Sequence, residues 1–220
     1  MSSGAKKTSK PSIDATTRDR LLRVSAKLFA SKGYDRVSVR DIARASKCNL
    51  SMISYYFGGK EKLYLALFEG FFSRVDQHMQ GLEAKTDNFK TVPSREEFIE
   101  EIRANIRFFI QEFHTDPNAK IVIHRESMDG FPRARAAFEK HFDLVRERIA
   151  RFYARAQKSG CIKKTIHIPT FIVLLNRAIE SYLVAHMFSK PLAQISIDPL
   201  KDTDTFVAQV EEIFLKGVLS

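Results

Sequence analysis

The sequence has few of the residues on which several classes of protein depend. It contains no tryptophan, two cysteines, 9 glycines and 7 prolines in 220 residues. Cys48 and Cys161 are too few for a disulfide framework or a cysteine metal cluster, and such usage is typical of a reducing compartment. With 44 % hydrophobic residues, the composition also excludes collagen-like repeats and low-complexity disorder. We therefore expect one large or two small globular domains.

Long hydrophobic stretches are also missing. The longest apolar run, residues 171–175, is too short to span a bilayer. Residues 1–17 are polar and lack the apolar segment that a signal peptide requires. The expected location is the cytoplasm, with no membrane partner.

Positive charge is concentrated at one end of the chain. Residues 1–60 hold 13 Lys and Arg against 4 Asp and Glu, whereas residues 61–220 hold 23 against 22. Solubility does not require this concentration, but attraction to a polyanion does. A nucleic acid is the favoured partner, and a membrane surface bound by residues 1–14 is an alternative. Those small, polar and basic residues are expected to form a disordered tail.

Hydrophobic periodicity predicts an all-α protein of about nine helices. Apolar residues recur every three or four positions, and no segment shows sustained alternation. Capping signals at Ser38, Asn49 and Ser94 mark helix starts. The predicted helices cover residues 17–32, 39–45, 50–57, 60–83, 94–114, 118–128, 133–158, 170–188 and 203–217.

Two of these helices are short and are joined by a tight turn, which indicates a helix-turn-helix unit. In the second of them, Ile53 and Phe57 should face inward. Leu50 and Met52 are then expected on the outer face, where thymine methyl groups would explain exposed apolar side chains. The alternative for Leu50 is packing against the first helix.

The motif residues of this unit resemble the TetR family of bacterial transcriptional regulators. The family pattern is A-x-L-F-x-x-x-G-Y, then [ST]-V-x-x-I-A, then L-Y-x-Y-F and K-x-x-L, and nine or more positions agree with it at the correct spacing without a gap. The matching residues are Ala26, Leu28, Phe29, Gly33, Tyr34, Ser38, Val39, Ile42, Ala43, Ile53, Tyr56, Phe57, Lys60 and Leu63. The resemblance covers under a quarter of the chain. It implies a DNA-binding domain over residues 15–60.

The resemblance also implies which residues meet DNA. Backbone phosphates would be contacted by Ser38, Tyr55, Tyr56 and Lys60. The predicted interface as a whole comprises Ser38, Arg40, Asn49, Leu50, Ser51, Met52, Ser54, Tyr55, Tyr56 and Lys60. Two positions depart from the family pattern: Lys47 replaces the usual glycine, which predicts a strained or differently shaped turn, and Ser54 replaces a tyrosine.

For residues 61–220 the resemblance implies a ligand-binding and dimerisation domain, with a homodimer formed through helices 170–188 and 203–217. The abundance of phenylalanine favours an apolar or aromatic small-molecule effector of unknown identity. Candidate ligand contacts are Phe109, Phe113, His124, Phe142, Asn176 and Glu180. No metal site and no cofactor are expected, because the sequence has no H-E-x-x-H, C-x-x-C or glycine-rich nucleotide motif.

The function predicted from these observations is a ligand-responsive transcriptional repressor that binds a palindromic operator as a homodimer. An activator or a ligand-independent regulator of the same fold is an alternative within the class. An all-α enzyme with an incidental basic segment is the alternative from another class, but no catalytic motif supports it.

Overall fold

The computed structural model describes residues 13–85, 92–188, 198 and 200–216, with the backbone alone at residues 13–16, 137, 140–142, 144 and 186–188. In these ranges the chain forms nine α-helices and no strand, which confirms the predicted all-α fold. The helices are α1 (Ile13–Lys32), α2 (Val39–Ser46), α3 (Leu50–Phe57), α4 (Lys60–Lys85), α5 (Arg95–Thr115), α6 (Pro117–Met128), α7 (Arg135–Lys158), α8 (Ile168–Phe188) and α9 (Thr203–Val210).

Most predicted helix boundaries shift by one or two residues, and the two ends of the described chain shift further. Residues 1–12 of the predicted tail lie outside the described residues, and α1 already begins at Ile13, so residues 13 and 14 are helical. The last helix keeps α geometry only to Val210 and continues as a π-helical turn over Glu211–Leu215. α7 begins at Arg135, later than predicted, because the carboxylate of Glu126 accepts hydrogen bonds from the backbone N–H groups of residues 133 and 134.

The chain divides into two compact units, Met1–Leu67 and Phe68–Ser220. Tyr64 packs within the first unit: its ring centroid lies 5.1 Å from that of Phe29 and 4.8 Å from that of Tyr34. Helix α4 begins in the first unit and ends in the second.

The second unit is held together by an apolar core drawn from α4, α5, α7, α8 and α9. Helix α5 shows the predicted stripe, with Phe98, Ile102 and Ile106 almost fully buried. Their periodic spacing places them on one face of the helix, where each removes apolar surface from water.

Helix α8 has one buried apolar face and a second apolar face that is exposed. Over Ile168–Ala185 it is long and apolar enough, by length and composition alone, to cross a membrane, although only 22 % of that stretch is buried. The longest apolar run in the sequence is shorter than this stretch because Arg177 and Glu180 interrupt it. Leu175 and Ile179 lie in the core, whereas Val173 and Leu174 are each 58 % exposed. No described residue covers this exposed face.

Candidate nucleic-acid interface and ligand cavity

Helix α2 begins with a capping box. The Oγ of Ser38 accepts a hydrogen bond from the backbone N–H of Asp41 at 3.1 Å, and the Ser38 N–H donates to Asp41 Oδ2 at 2.9 Å. Hydrogen bonds from the hydroxyl and backbone N–H of Ser38, supported by Arg44, lower the pKa of Asp41 to about 2. The Asp41 carboxylate is thus charged near neutral pH and caps the positive end of α2.

The turn between α2 and α3 contains a left-handed residue with a side chain. Lys47 has φ 52° and ψ 40°, and its N–H donates to the Arg44 carbonyl at 3.2 Å. The N–H of Cys48 then donates to the Ala43 carbonyl at 3.0 Å. The left-handed conformation of Lys47 is one that a glycine adopts without steric cost. Lysine here costs roughly 1–2 kcal/mol, so the turn carries the strain that the sequence predicted.

Replacing Lys47 with glycine is expected to stabilise the protein by about 1 kcal/mol, since it removes the left-handed strain. The free energy of unfolding from urea titration is the measurement. Lys163→Gly, at an exposed position outside any helix in the second unit, is the control and should give no gain. An unchanged or lowered stability of Lys47→Gly would show that this turn is not strained.

Helix α3 has one buried and one exposed face. Asn49 caps it by accepting a hydrogen bond from the Ser51 N–H at 3.2 Å, and Gly58 ends it in the left-handed region. Ile53 and Phe57 are buried, as expected from their spacing. The exposed side chains are Leu50, Ser51, Met52, Ser54 and Tyr55, and Tyr56 is half-buried.

The degree of exposure decides between the two interpretations of Leu50. Its side chain is 45 % exposed, Met52 is 39 % exposed and Tyr55 is 77 % exposed. Leu50 therefore faces outward rather than packing under the first helix. Single exposed apolar residues are ordinary, but two beside an exposed aromatic ring on one short helix form a surface suited to base edges.

Lys60 is held over an aromatic ring at the start of α4. Its Nζ lies 3.9 Å from the ring centroid of Tyr34. A cation over an aromatic face is attracted by the ring quadrupole, so the ammonium group is positioned before any partner arrives. Sequence reasoning identified Lys60 but missed the role of Tyr34, because the two residues are distant in the chain.

The two arginines of α2, Arg40 and Arg44, differ in whether a neighbouring carboxylate neutralises their charge. Arg44 Nη2 lies 2.6 Å from Asp41 Oδ1, so its charge is partly neutralised. Arg40 is exposed and makes no ion pair with any described residue. Of the predicted contacts, Arg40 therefore offers the freer positive charge to a phosphate.

The second unit contains an open cavity of about 490 Å³, a volume that includes space continuous with solvent. Helices α4, α5, α7 and α8 line it, mostly with apolar side chains. Of the predicted ligand contacts, Phe109 and Asn176 lie on its wall. A mostly apolar lining with a few polar groups is typical of a small-molecule site.

The other predicted ligand contacts lie elsewhere. Phe113 belongs to the apolar core. His124 Nδ1 lies 3.1 Å from a carboxylate oxygen of Glu180, and neither residue lines this cavity. The side chain of Phe142 lies outside the described residues.

Two polar residues of the cavity wall were missed from the sequence. The rings of His78 and Phe108 are stacked with centroids 4.1 Å apart, and His78 Nε2–H donates to Asn105 Oδ1 at 2.8 Å. Burial lowers the pKa of His78, partly offset by the hydrogen bond with Asn105. The sequence does contain a signal for Asn105, because this polar residue interrupts the apolar stripe of α5 three residues after Ile102. Among the described residues no group of three or more His, Cys, Asp or Glu could hold a metal ion.

The amino-terminal part of the chain matches a known protein family. Residues 21–67 match the family model described as bacterial regulatory proteins, tetR family. The match confirms the resemblance drawn from the sequence motif and covers the same segment.

Curated relatives and solved structures extend this similarity. The chain is 36 % identical over 61 residues to the HTH-type transcriptional repressor NicS of Pseudomonas putida, covering 28 % of this chain and 29 % of NicS. It is 30 % identical over 125 residues to the HTH-type transcriptional repressor AcnR of Corynebacterium efficiens, covering 55 % of this chain and 64 % of AcnR. The matches thus span less than two thirds of these relatives.

The structural similarity covers more of the chain than the sequence similarity does. The structure of the fatty acid degradation regulator FadR from Bacillus halodurans superposes with a TM-score of 0.68 at 14 % identity, covering 90 % of this chain and 98 % of FadR. At this identity the likeness shows a shared fold and nothing of the ligand.

Proposed function

Residues 21–67 carry the DNA-binding domain of the tetR family, and from this premise we propose that the chain is a transcriptional repressor that binds a palindromic operator as a homodimer. The first unit would bind DNA, and the second would bind an effector and a second copy of the chain. Both curated relatives reported above are named repressors, which favours repression over activation.

The observation that carries the proposal is the exposed face of α3. A capped helix presents Leu50, Met52 and Tyr55 outward, while Lys60 and Arg40 supply positive charge nearby in the same unit. Apolar side chains can read thymine methyl groups in the major groove. The charged groups and hydroxyls would contact phosphates, which fixes register without reading sequence.

Dimerisation is proposed from the exposed apolar residues of the second unit. Val173 and Leu174 of α8 are each 58 % exposed, and Ile213 of the π-helical turn is 68 % exposed. A second copy packed on these residues would remove them from water. A two-fold dimer also fits the reading of two half-sites one helical turn of DNA apart.

Effector control would act through α4. This helix carries Lys60 in the first unit and His78 on the cavity wall of the second. A ligand that favours one position of α4 and DNA that favours another would weaken each other's binding equally. A coupling of roughly 1–3 kcal/mol is the ordinary size of such an effect. We place this activity in the cytoplasm and assign the chain no catalytic role.

Selection of bound fragments from a random duplex library tests the proposal. We expect enrichment of a palindrome whose half-sites are separated by about one helical turn, or roughly 34 Å. A non-palindromic consensus would contradict the dimer, and the absence of enrichment at low salt would contradict DNA binding itself. Deletion of the gene should raise transcription next to the selected site, whereas an activator would give a fall.

A further inference from the structure

Three polar side chains on the cavity wall carry hydrogen-bonding groups that no described residue uses. The hydroxyl of Tyr153 and the amide of Asn176 make no hydrogen bond with any described residue. Asn105 accepts through Oδ1 from His78 Nε2–H at 2.8 Å, which leaves its NH₂ group without a partner among the described residues. Polar groups in such sites are satisfied either by water or by a ligand that replaces the water.

The remainder of the wall is apolar and partly flat. Phe108, Phe109 and Phe152 contribute aromatic rings, and the His78 ring lies at 6° to that of Phe108. Flat aromatic walls favour a ring-containing ligand, because offset stacking adds to the gain from burying apolar area.

The wall carries no fixed charge. No Lys, Arg, Asp or Glu is among the described residues that line the cavity. Burial lowers the pKa of His78, so its imidazole is neutral near pH 7. An ionised carboxylate or ammonium group entering this cavity would lose hydration without gaining a counter-ion.

We propose that the cavity binds a neutral, ring-containing, mostly apolar molecule with a carbonyl oxygen. That oxygen accepts hydrogen bonds from the Tyr153 hydroxyl and the Asn105 NH₂ group, and Asn176 meets a second polar group. The inference rests on the proposed function in one respect: this molecule is the effector that would release DNA.

Three matched probes test the ligand class on the full chain without DNA. They are 1-indanone, indane and indane-1-carboxylate, which share one ring system and differ in the polar group. By equilibrium dialysis, indanone should bind about 100-fold more tightly than indane, the effect expected of two net hydrogen bonds of about tenfold each. The carboxylate should bind no better than indane.

Tyr153→Phe removes one oxygen and leaves the ring. It should weaken indanone binding about tenfold and leave indane binding unchanged. Tyr182→Phe is the matched control, since this tyrosine lies outside the cavity wall, and it should change neither probe. Asn105→Leu provides a second variant, and it should reduce the preference for indanone over indane in the same way.

The inference is overturned by tighter binding of the carboxylate, by equal binding of indanone and indane, or by an unchanged indanone affinity in Tyr153→Phe. It is also overturned if none of the probes binds at about 0.5 mM, a concentration that reveals weak ligands. Duplex binding is measured separately. If the protein does not bind duplex DNA but binds the probes as expected, the proposed function is wrong and the ligand class stands. If it binds duplex DNA but not the probes as expected, the ligand class is wrong and the proposed function stands.

Discussion

Replacing Glu112 with glutamine is expected to destabilise the protein by about 3–5 kcal/mol, because it leaves a buried ammonium group without its counter-ion. Lys120 Nζ lies 2.8 Å from Glu112 Oε2, and the two side chains are 3 % and 8 % exposed. Arg74 Nε also donates to both carboxylate oxygens, at 2.9 and 3.0 Å. The ammonium group lies 3.4 Å from the ring centroid of Phe71. This cluster ties α4, α5 and α6 together.

The free energy of unfolding from denaturant titration measures the effect. The double variant Glu112→Gln with Lys120→Met should recover most of the loss, since it removes the unpaired charge together with its partner. Glu139→Gln is the control: it breaks the exposed pair with Arg135 and should cost less than about 1 kcal/mol. A loss at Glu112 as small as that of the control would mean that water reaches the ammonium group.

The same cluster predicts a pH dependence. Burial lowers the pKa of Lys120 from 10.5 to about 8, although Glu112 opposes the shift. Between these two values the unfolded chain binds more protons at this position than the folded chain does. The free energy of unfolding of the parent protein, measured relative to that of Lys120→Met, should therefore rise with pH across that interval. If the difference between the two proteins does not change with pH, the pKa of Lys120 is not lowered.

The local elements of this protein could be predicted from sequence because their causes are local. Ser38, Asn49 and Ser94 each accept a hydrogen bond from a backbone N–H two or three residues ahead, and the structure shows all three caps. The inward pair Ile53 and Phe57 follows from helical periodicity alone. The tight turn between two short helices then indicated the helix-turn-helix unit, and the family motif assigned it a DNA-binding role.

The missing parts depend on tertiary contacts between different elements. Lys60 over Tyr34, and Lys120 beside Glu112 across the junction of α5 and α6, are both set by tertiary packing, for which the sequence carries no local signal. The cavity was missed in part for the same reason, since α4 and α5 bring His78 and Asn105 together. The change to π geometry at Glu211 coincides with its ion pair to Arg103, another contact between distant helices.

Removing two of the proposed phosphate contacts of the first unit should weaken duplex binding about 100-fold at low salt, without change of fold. The test is the double variant Tyr55→Ala with Lys60→Ala. Tyr55 is 77 % exposed, so its loss leaves no cavity, and Lys60 makes no ion pair with any described residue, its ammonium group lying over the ring of Tyr34. Thermal unfolding should therefore stay within a few degrees of the parent.

The salt dependence separates a phosphate contact from a general charge effect. Each substitution occurs twice in the proposed homodimer, so Lys60→Ala alone should lower the slope of log affinity against log salt by about 2. Lys164→Ala, an exposed position of the second unit, removes the same charge and should leave the slope unchanged. Lys60→Arg keeps the charge and should retain the parent slope. A lysine that contacts a phosphate replaces a counter-ion there, and the release of that ion adds to the salt slope. Equal slopes for Lys60→Ala and Lys164→Ala would therefore show that Lys60 attracts DNA only through net charge.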